Sequence, residues 1–296
     1  MSSGAGAAIV VGVDGSAGSL SAVQAAACEA VERGRPLRVV HAFIWPSLGV
    51  AVGPAVDGPS DTGMRTFAER ILADAIIEAE KAAPGVHATA ALVDGAPAPV
   101  LLGESRDAVL LAVGNRGLGG FGSLVLGSVA LHLTAHADCP VLVVRGPGRT
   151  TGPVVVGVDG SPGSESAVGF ALEAAARRKT SLTAVHAWGA FDSASQQDLL
   201  PLANEPGRLE GAERRVLSES LAGWAQRYPE VDIRQETVRG RAAAALIERS
   251  QDAQLVVTGA RGRGGFAGLL LGSVSQTVLH HAGCPVVVVR SSMSAS

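Results

Sequence analysis

The chain has 296 residues, 47% of them hydrophobic, and a formal net charge of −3. That length suits two domains and that apolar content excludes a disordered chain, while 38 glycines without a Gly-X-Y period exclude collagen. Mixed charges of nearly equal number and 3% aromatics give no basis for a nucleic acid, an anionic membrane or a base-stacking platform as partner.

The chain opens with MSSGAGAAIVVGVD, which has no basic n-region. Its apolar run, Ile9–Val13, is too short for a signal core and reads as a strand buried on both faces. A helix follows over Ser19–Arg33, with Ala22, Val23, Ala26, Ala27 and Ala30 on one stripe. Leu37–His41 is a second strand, and Pro46–Gly63 a loop rich in proline and glycine. Arg65–Lys81 reads as a helix with Phe67, Ile71, Leu72 and Ala75 on one side. Val86–Val93 is a third strand, Pro97–Ser105 a short helix opened by proline, and Val109–Val113 a fourth strand. After a glycine-rich stretch come a helix over Ser128–His136 and a fifth strand, Val141–Val144. The alternation predicts an α/β fold: a five-stranded parallel sheet with helices on both faces.

Everything then happens again. Ile9 and Val154, His41 and His186, Gly114 and Gly259, Gly127 and Gly272, and Cys139 and Cys284 each stand 145 residues apart. A period that long is a duplicated domain and not a solenoid repeat. The breaker-rich run GPGRTTGP, Gly146–Pro153, is the linker, which divides the chain into domains 1–147 and 148–296. The second domain has its own long loop, Ala190–Pro206. Cys28, Cys139 and Cys284 show no metal or redox spacing and read as thiols of a reducing cytoplasm. No apolar run is long enough to span a bilayer, so a cytoplasmic chain with no membrane partner is expected.

The stretch GNRGLGGFGSLVLGS, Gly114–Ser128, returns as GARGRGGFAGLLLGS, Gly259–Ser273. It lies at the carboxyl edge of the sheet, where α/β folds bind ligands. Gly114 and Gly117 let the backbone approach a ligand, Gly127 gives close access before the last helix, and Ser128 is the expected N-cap. Exposed amides at that helix start form a nest for anionic oxygens, to which Arg116 and Arg261 add charge. There is no Walker A lysine, but three or four amide contacts of roughly 1.5–3 kcal/mol each outweigh one. Gly117, Gly119 and Gly122 also satisfy GxGxxG, yet a dinucleotide fingerprint belongs after the first strand, and the second copy breaks it at Ala267.

Other candidates carry blander readings. Asp14 and Asp159 end the first strand of each unit, in Asp-Gly pairs that also suit turns. His41 and His186 read as hydrogen-bonded structural residues, with no nucleophile at motif spacing. His132, His136, His280 and His281 read as a solvated helix end, and no metal site is expected. Trp45, Trp188 and Trp224 read as core or loop anchors.

Three motifs together carry a resemblance: GVDGS at Gly12–Ser16 and Gly157–Ser161; GxxG, nine residues, then GS; and CPVLVV or CPVVVV from Cys139 and Cys284. The combination resembles the universal stress protein family in its tandem form. The resemblance implies an adenine-nucleotide α-hydrolase-like fold in each half, with ATP as ligand, accompanied by Mg2+. It implies that the strand ends Gly12, Val13 and Asp14, and Gly157, Val158 and Asp159, lie beside the nucleoside, and that the backbone of Ala42 and Ala187 reads adenine. It implies phosphate contacts from Gly114, Arg116, Gly117, Gly119, Gly120, Gly127, Ser128 and Val129. In the second half these become Gly259, Arg261, Gly262, Arg263, Gly264, Gly265, Gly272, Ser273 and Val274. It further implies last strands paired edge to edge as in a dimer, here within one chain, and a role in stress survival, dormancy or growth control. The lack of catalytic machinery favours regulation through a protein partner over enzymatic turnover, and whole chains can still pair as a homodimer. Slow ATP hydrolysis, cyclic AMP binding and a ligand-free interaction module stay open as alternatives. Leu118 stands where the second half has Arg263, and Ala130 where it has Ser275.

Overall fold

Ile9, Val10 and Val11 are almost fully buried, as a β-branched run covered on both sides of a parallel sheet must be. They belong to β1 (Ala8–Gly12), the middle strand of the first unit. The computed structural model describes residues 7–44, 61–118, 126–189, 206–263 and 270–290, and at 61, 62 and 206–208 the backbone alone. The chain divides into two compact units, Met1–Val144 and Arg145–Ser296. The expected contacts at Gly119, Gly120, Gly264 and Gly265, together with Trp45, lie outside the described residues.

In the first unit the elements run β1, α1 (Ala17–Arg33), β2 (Leu37–Phe43), α2 (Asp61–Ala82), β3 (Ala88–Asp94), α3 (Pro97–Ser105), β4 (Ala108–Gly114), α4 (Ser128–His136) and β5 (Val141–Val144). The strands lie in the order β3-β2-β1-β4-β5, and each neighbouring pair is parallel. The chain winds outward through β1, β2 and β3, then returns past β1 to β4 and β5. Right-handed crossovers therefore put α1 and α2 on one face and α3 and α4 on the other. The contacts agree: α1 packs on α2, and α3 on α4. The strand order reverses between β1 and β4, which opens a crevice at their carboxyl ends.

The second unit repeats the plan with β6 (Val154–Gly157), α5 (Pro162–Arg177), β7 (Leu182–Gly189), α6 (Pro206–Ser220), α7 (Trp224–Arg227), β8 (Ile233–Gly240), α8 (Ala242–Arg249), β9 (Leu255–Gly259), α9 (Ser273–His281) and β10 (Val286–Val289). Its order is β8-β7-β6-β9-β10, again all parallel. No helix among the described residues is long and apolar enough to cross a membrane.

Three details depart from the sequence reading. Helix α1 begins at Ala17, because Ser16 is its N-cap and accepts the Ser19 amide at 3.1 Å. Helix α2 begins at Asp61, inside the expected loop, so Gly63 is helical. Its buried stripe is Ala68, Ile71, Leu72, Ala75 and Ala79, while Phe67 is 60% exposed. The 3.6-residue period explains this, since Phe67 stands one position off the row that faces the sheet. Of the three tryptophans, Trp224 packs against Gly169, whose missing Cβ would lie 2.9 Å from the ring. Trp188 lies beneath the Arg239 guanidinium, 5.7 Å from the ring centroid.

Candidate functional site

The carboxyl ends of β1 and β4 are held together by glycine. An added Cβ on Gly114 would lie 2.6 Å from the Gly18 carbonyl, so the start of α1 can touch the end of β4 only without that atom. Gly18 is equally confined, its missing Cβ lying 2.8 Å from the Arg116 carbonyl oxygen. The second unit matches, with Gly259 against Gly163 and Gly163 against Arg261.

Asp14 spans this junction. Its Oδ1 accepts the Ser16 amide at 3.0 Å, closing the turn after β1. Its Oδ2 accepts the Leu118 amide at 2.7 Å, from the loop after β4. Gly117 lies so close that a Cβ there would sit 2.2 Å from Asp14 Oδ2. Asp159 does the same work, taking the Ser161 amide at 3.0 Å, the Ser161 hydroxyl at 2.6 Å and the Arg263 amide at 2.8 Å. Burial of each carboxylate opposes its ionisation. Hydrogen bonds from Ser16, Leu118 and Ser19 outweigh that for Asp14, as do those from Ser161, Arg263 and Ser164 for Asp159, and both groups titrate below the ordinary 3.8.

The last helix starts differently from the sequence expectation. Gly127, not Ser128, is the N-cap of α4, with extended φ −75 and ψ 149, and Ser128 is the first helical residue. Gly127 also has its own amide committed to the Asn115 carbonyl at 2.8 Å, as Gly272 has to Ala260 at 2.7 Å. Those two amides are therefore spent on shaping the loop. A glycine cap has no side chain to turn back, and no side-chain cap is made at either helix. The amides of Ser128, Val129 and Ala130, and of Ser273, Val274 and Ser275, consequently have no acceptor among the described residues. In the first unit they face a cavity of about 340 Å³ lined by Gly12, Val13, Asp14, His41, Ala42, Gly114, Arg116, Gly117 and Gly127 among others. The positive end of the helix and three unpartnered donors suit a bound anion.

At the other end of the crevice His41 donates from Nδ1 to the Val13 carbonyl at 2.8 Å, tying β2 to β1 just before Ala42. His186 donates likewise to Val158 at 2.7 Å, before Ala187. Here the units diverge. His186 Nε2 is also 2.8 Å from Glu213 Oε2 on α6, and the residue 145 positions before Glu213 is Ala68. Thr258 replaces Val113, and its buried Oγ1 has no partner among the described residues. Ser275 replaces Ala130, and its hydroxyl donates to the Gly259 carbonyl at 2.6 Å. Glu213 and Thr258 were missed from sequence because neither belongs to a motif; only comparison at the 145-residue offset exposes them.

Arg116, Arg261 and Arg263 are exposed at the mouths of the two crevices. The Arg263 guanidinium lies over Gly160, 2.8 Å from the position of its missing Cβ, whereas Leu118 offers a 67% exposed aliphatic chain. Among the described residues no group of three His, Cys, Asp or Glu side chains comes together. Both carboxylate oxygens of Asp14 and of Asp159 are already engaged. One aspartate per crevice is no cage for Mg2+ by itself, because the ion takes six oxygens and keeps several waters.

The same architecture occurs in known proteins. The model of the universal stress protein family matches residues 7–145 and again 150–290. A universal stress protein of Mycobacterium tuberculosis is 40% identical over 300 residues, covering 97% of both chains. Another from that organism is 39% identical over 294 residues, covering 96% of this chain and 97% of its own. Among solved structures, a universal stress protein from Archaeoglobus fulgidus superposes with a TM-score of 0.66 at 20% identity, covering 96% of each chain, which shows the shared fold. With the family pattern present twice and full-length relatives at this identity, the chain belongs to the universal stress protein family as a tandem of two such domains.

Proposed function

We propose that the protein is an ATP-binding regulator, with one adenine nucleotide bound at the β1–β4 crevice of the first domain and one at the β6–β9 crevice of the second. The observation that carries this reading is the set of three unpartnered amides at the start of α4 above a cavity of about 340 Å³, matched by three at α9. A polyphosphate supplies the oxygens those donors lack. Three charge-assisted bonds of roughly 1.5–3 kcal/mol each suffice without a lysine. On this reading the nucleoside lies along Val13, Asp14 and Ala42, and along Val158, Asp159 and Ala187. Any Mg2+ accompanies the phosphates, held by their oxygens and water.

Regulation is favoured over turnover because Asp14 and Asp159 are held below the ordinary carboxylate range by hydrogen bonds from main-chain amides and serines, which leaves each a weak base toward water. Occupancy would change the surface offered to a protein partner. The test is direct: purified protein is denatured and the released small molecules are separated. ATP at up to two equivalents is expected, and no adenine nucleotide together with no measurable ATP affinity would reject the reading. Cyclic AMP displacing ATP at equal concentration would shift the assignment to that ligand. Mass measurement with and without ATP reports whether whole chains also pair.

A further inference from the structure

The outer side of α4 carries a pair that nucleotide binding does not use. His132 and His136 stand one helical turn apart, His132 exposed and His136 half-buried. Their rings stack with centroids 4.3 Å apart and planes 24° from parallel. His136 Nδ1 lies 2.9 Å from the His132 carbonyl oxygen. A carbonyl only accepts, so Nδ1 carries the hydrogen and Nε2 keeps its lone pair. Metal-binding histidines are held in this way, with the far ring nitrogen donating to a carbonyl or carboxylate.

The electrostatic setting favours a cation. His136 closes the last turn of α4, at the negative end of its dipole, with His132 one turn before it. Asp138, whose side chain is 62% exposed, follows two residues after His136; its nearest cation is Arg106, at 3.9 Å. We propose that His132 and His136 form a two-nitrogen site for a divalent cation of the zinc class. Imidazole selects zinc, copper or nickel over magnesium and calcium. At Zn–N distances of about 2.0–2.1 Å, two imidazoles one helical turn apart reach one ion if His132 turns its ring out of the stack while His136 keeps its Nδ1 bond to the His132 carbonyl. Water completes the coordination. The inference is independent of nucleotide binding.

The duplication supplies its own control. At the matching positions α9 has Thr277 and His281, and the Thr277 hydroxyl donates to Ser273 at 2.7 Å. His280 and His281 are sequence neighbours, with centroids 6.1 Å apart and tilted by 42°, so they do not present two nitrogens to one point. Burial, His281 and Arg145 all disfavour charge on His280. The second domain therefore lacks the pair.

Zinc titrated calorimetrically into the full chain, stripped of nucleotide, tests the site. One equivalent is expected, weakened at least roughly tenfold in His132→Ala and in His136→Ala, each of which removes one of the two protein ligands. The double variant His280→Ala/His281→Ala should leave that equivalent intact. Thr277→His should add a second equivalent on α9. An unchanged zinc affinity in His132→Ala and His136→Ala, loss of the equivalent in the His280/His281 variant, or no gain in Thr277→His would each overturn the proposal. Melting temperatures measured without zinc distinguish loss of a ligand from loss of the ring stack.

Discussion

Asp14 Oδ2 and the Leu118 amide meet at 2.7 Å across 104 residues of chain, and Asp159 and Arg263 repeat the bond at 2.8 Å. Each carboxylate fastens the loop after the fourth strand of its domain to the end of the first. The aspartate is thus first a clasp, whatever else it contacts when a ligand is present.

Asp14→Ala and Asp159→Ala should each destabilise their domain at pH 7 by about 1–2 kcal/mol, a charge-assisted bond discounted for partial exposure. The pH dependence has a definite sign. Both carboxyls titrate below 3.8 in the folded protein. Their stabilisation is complete above the unfolded carboxyl range and is lost as pH falls through the lowered folded value. Chemical denaturation at several pH values should show the wild type and Asp159→Asn converging below about pH 4. A gap that widens on acidification would contradict the clasp.

Glycines at the crevice should differ in tolerance. Alanine at Gly114 meets backbone, the Gly18 carbonyl carbon and oxygen at 2.6 Å, which cannot move aside without shifting α1. A loss of about 3 kcal/mol or more is expected. Alanine at Gly12 meets Leu101 Cδ1 at 2.6 Å, the far end of a side chain that can rotate. About 1 kcal/mol suffices there. Thermal unfolding of the two variants compares them directly, and equal losses would show that the α1–β4 contact is looser than described.

The amide cradle can be probed at its first donor. Ser128 is the first residue of α4 and follows an extended Gly127, so Ser128→Pro is sterically allowed and removes one amide hydrogen. Ser128→Ala removes the hydroxyl and keeps the amide. ATP affinity measured by calorimetry should fall about tenfold or more in Ser128→Pro relative to Ser128→Ala, the worth of one charge-assisted donor. Equal affinities would remove the Ser128 amide from the site.

Thiol reactivity should separate the cysteines. Burial pushes the Cys139 and Cys284 thiols up to about 12, so neither forms appreciable thiolate at neutral pH. Cys28 is on the surface. A disulfide reagent at pH 7.5 should titrate one thiol in the native chain and three after denaturation. Rapid reaction of a second thiol would mean that a β5 or β10 end opens readily.

Much of this was readable in the residues. The spans of α3, α4 and β5 fell where Pro97, the glycine run and the valines put them, because local chemistry alone decides those boundaries. The start of α1 was missed by two residues, since Ser16 and Ser19 are both good caps, and the turn in which Asp14 accepts the Ser16 amide places Ser16 to accept that of Ser19. Glycine density located the crevice, but not which amides stay free: Gly127 spends its own on Asn115, a bond across a loop that no spacing rule encodes. Glu213 was invisible for the same reason. Its partner His186 lies 27 residues away, and they meet only because α6 packs across β7.

The free donors at α4 and α9 are peptide groups, not side chains, and this has a genetic consequence. Codon changes at Val129 or Ala130 alter what surrounds the cradle but leave the N–H in place, and only proline deletes it. Such a pocket can drift widely in composition while its grip persists. An anion that pairs with these donors would meet the same N–H groups in both halves of the chain, and single substitutions that remove them are few.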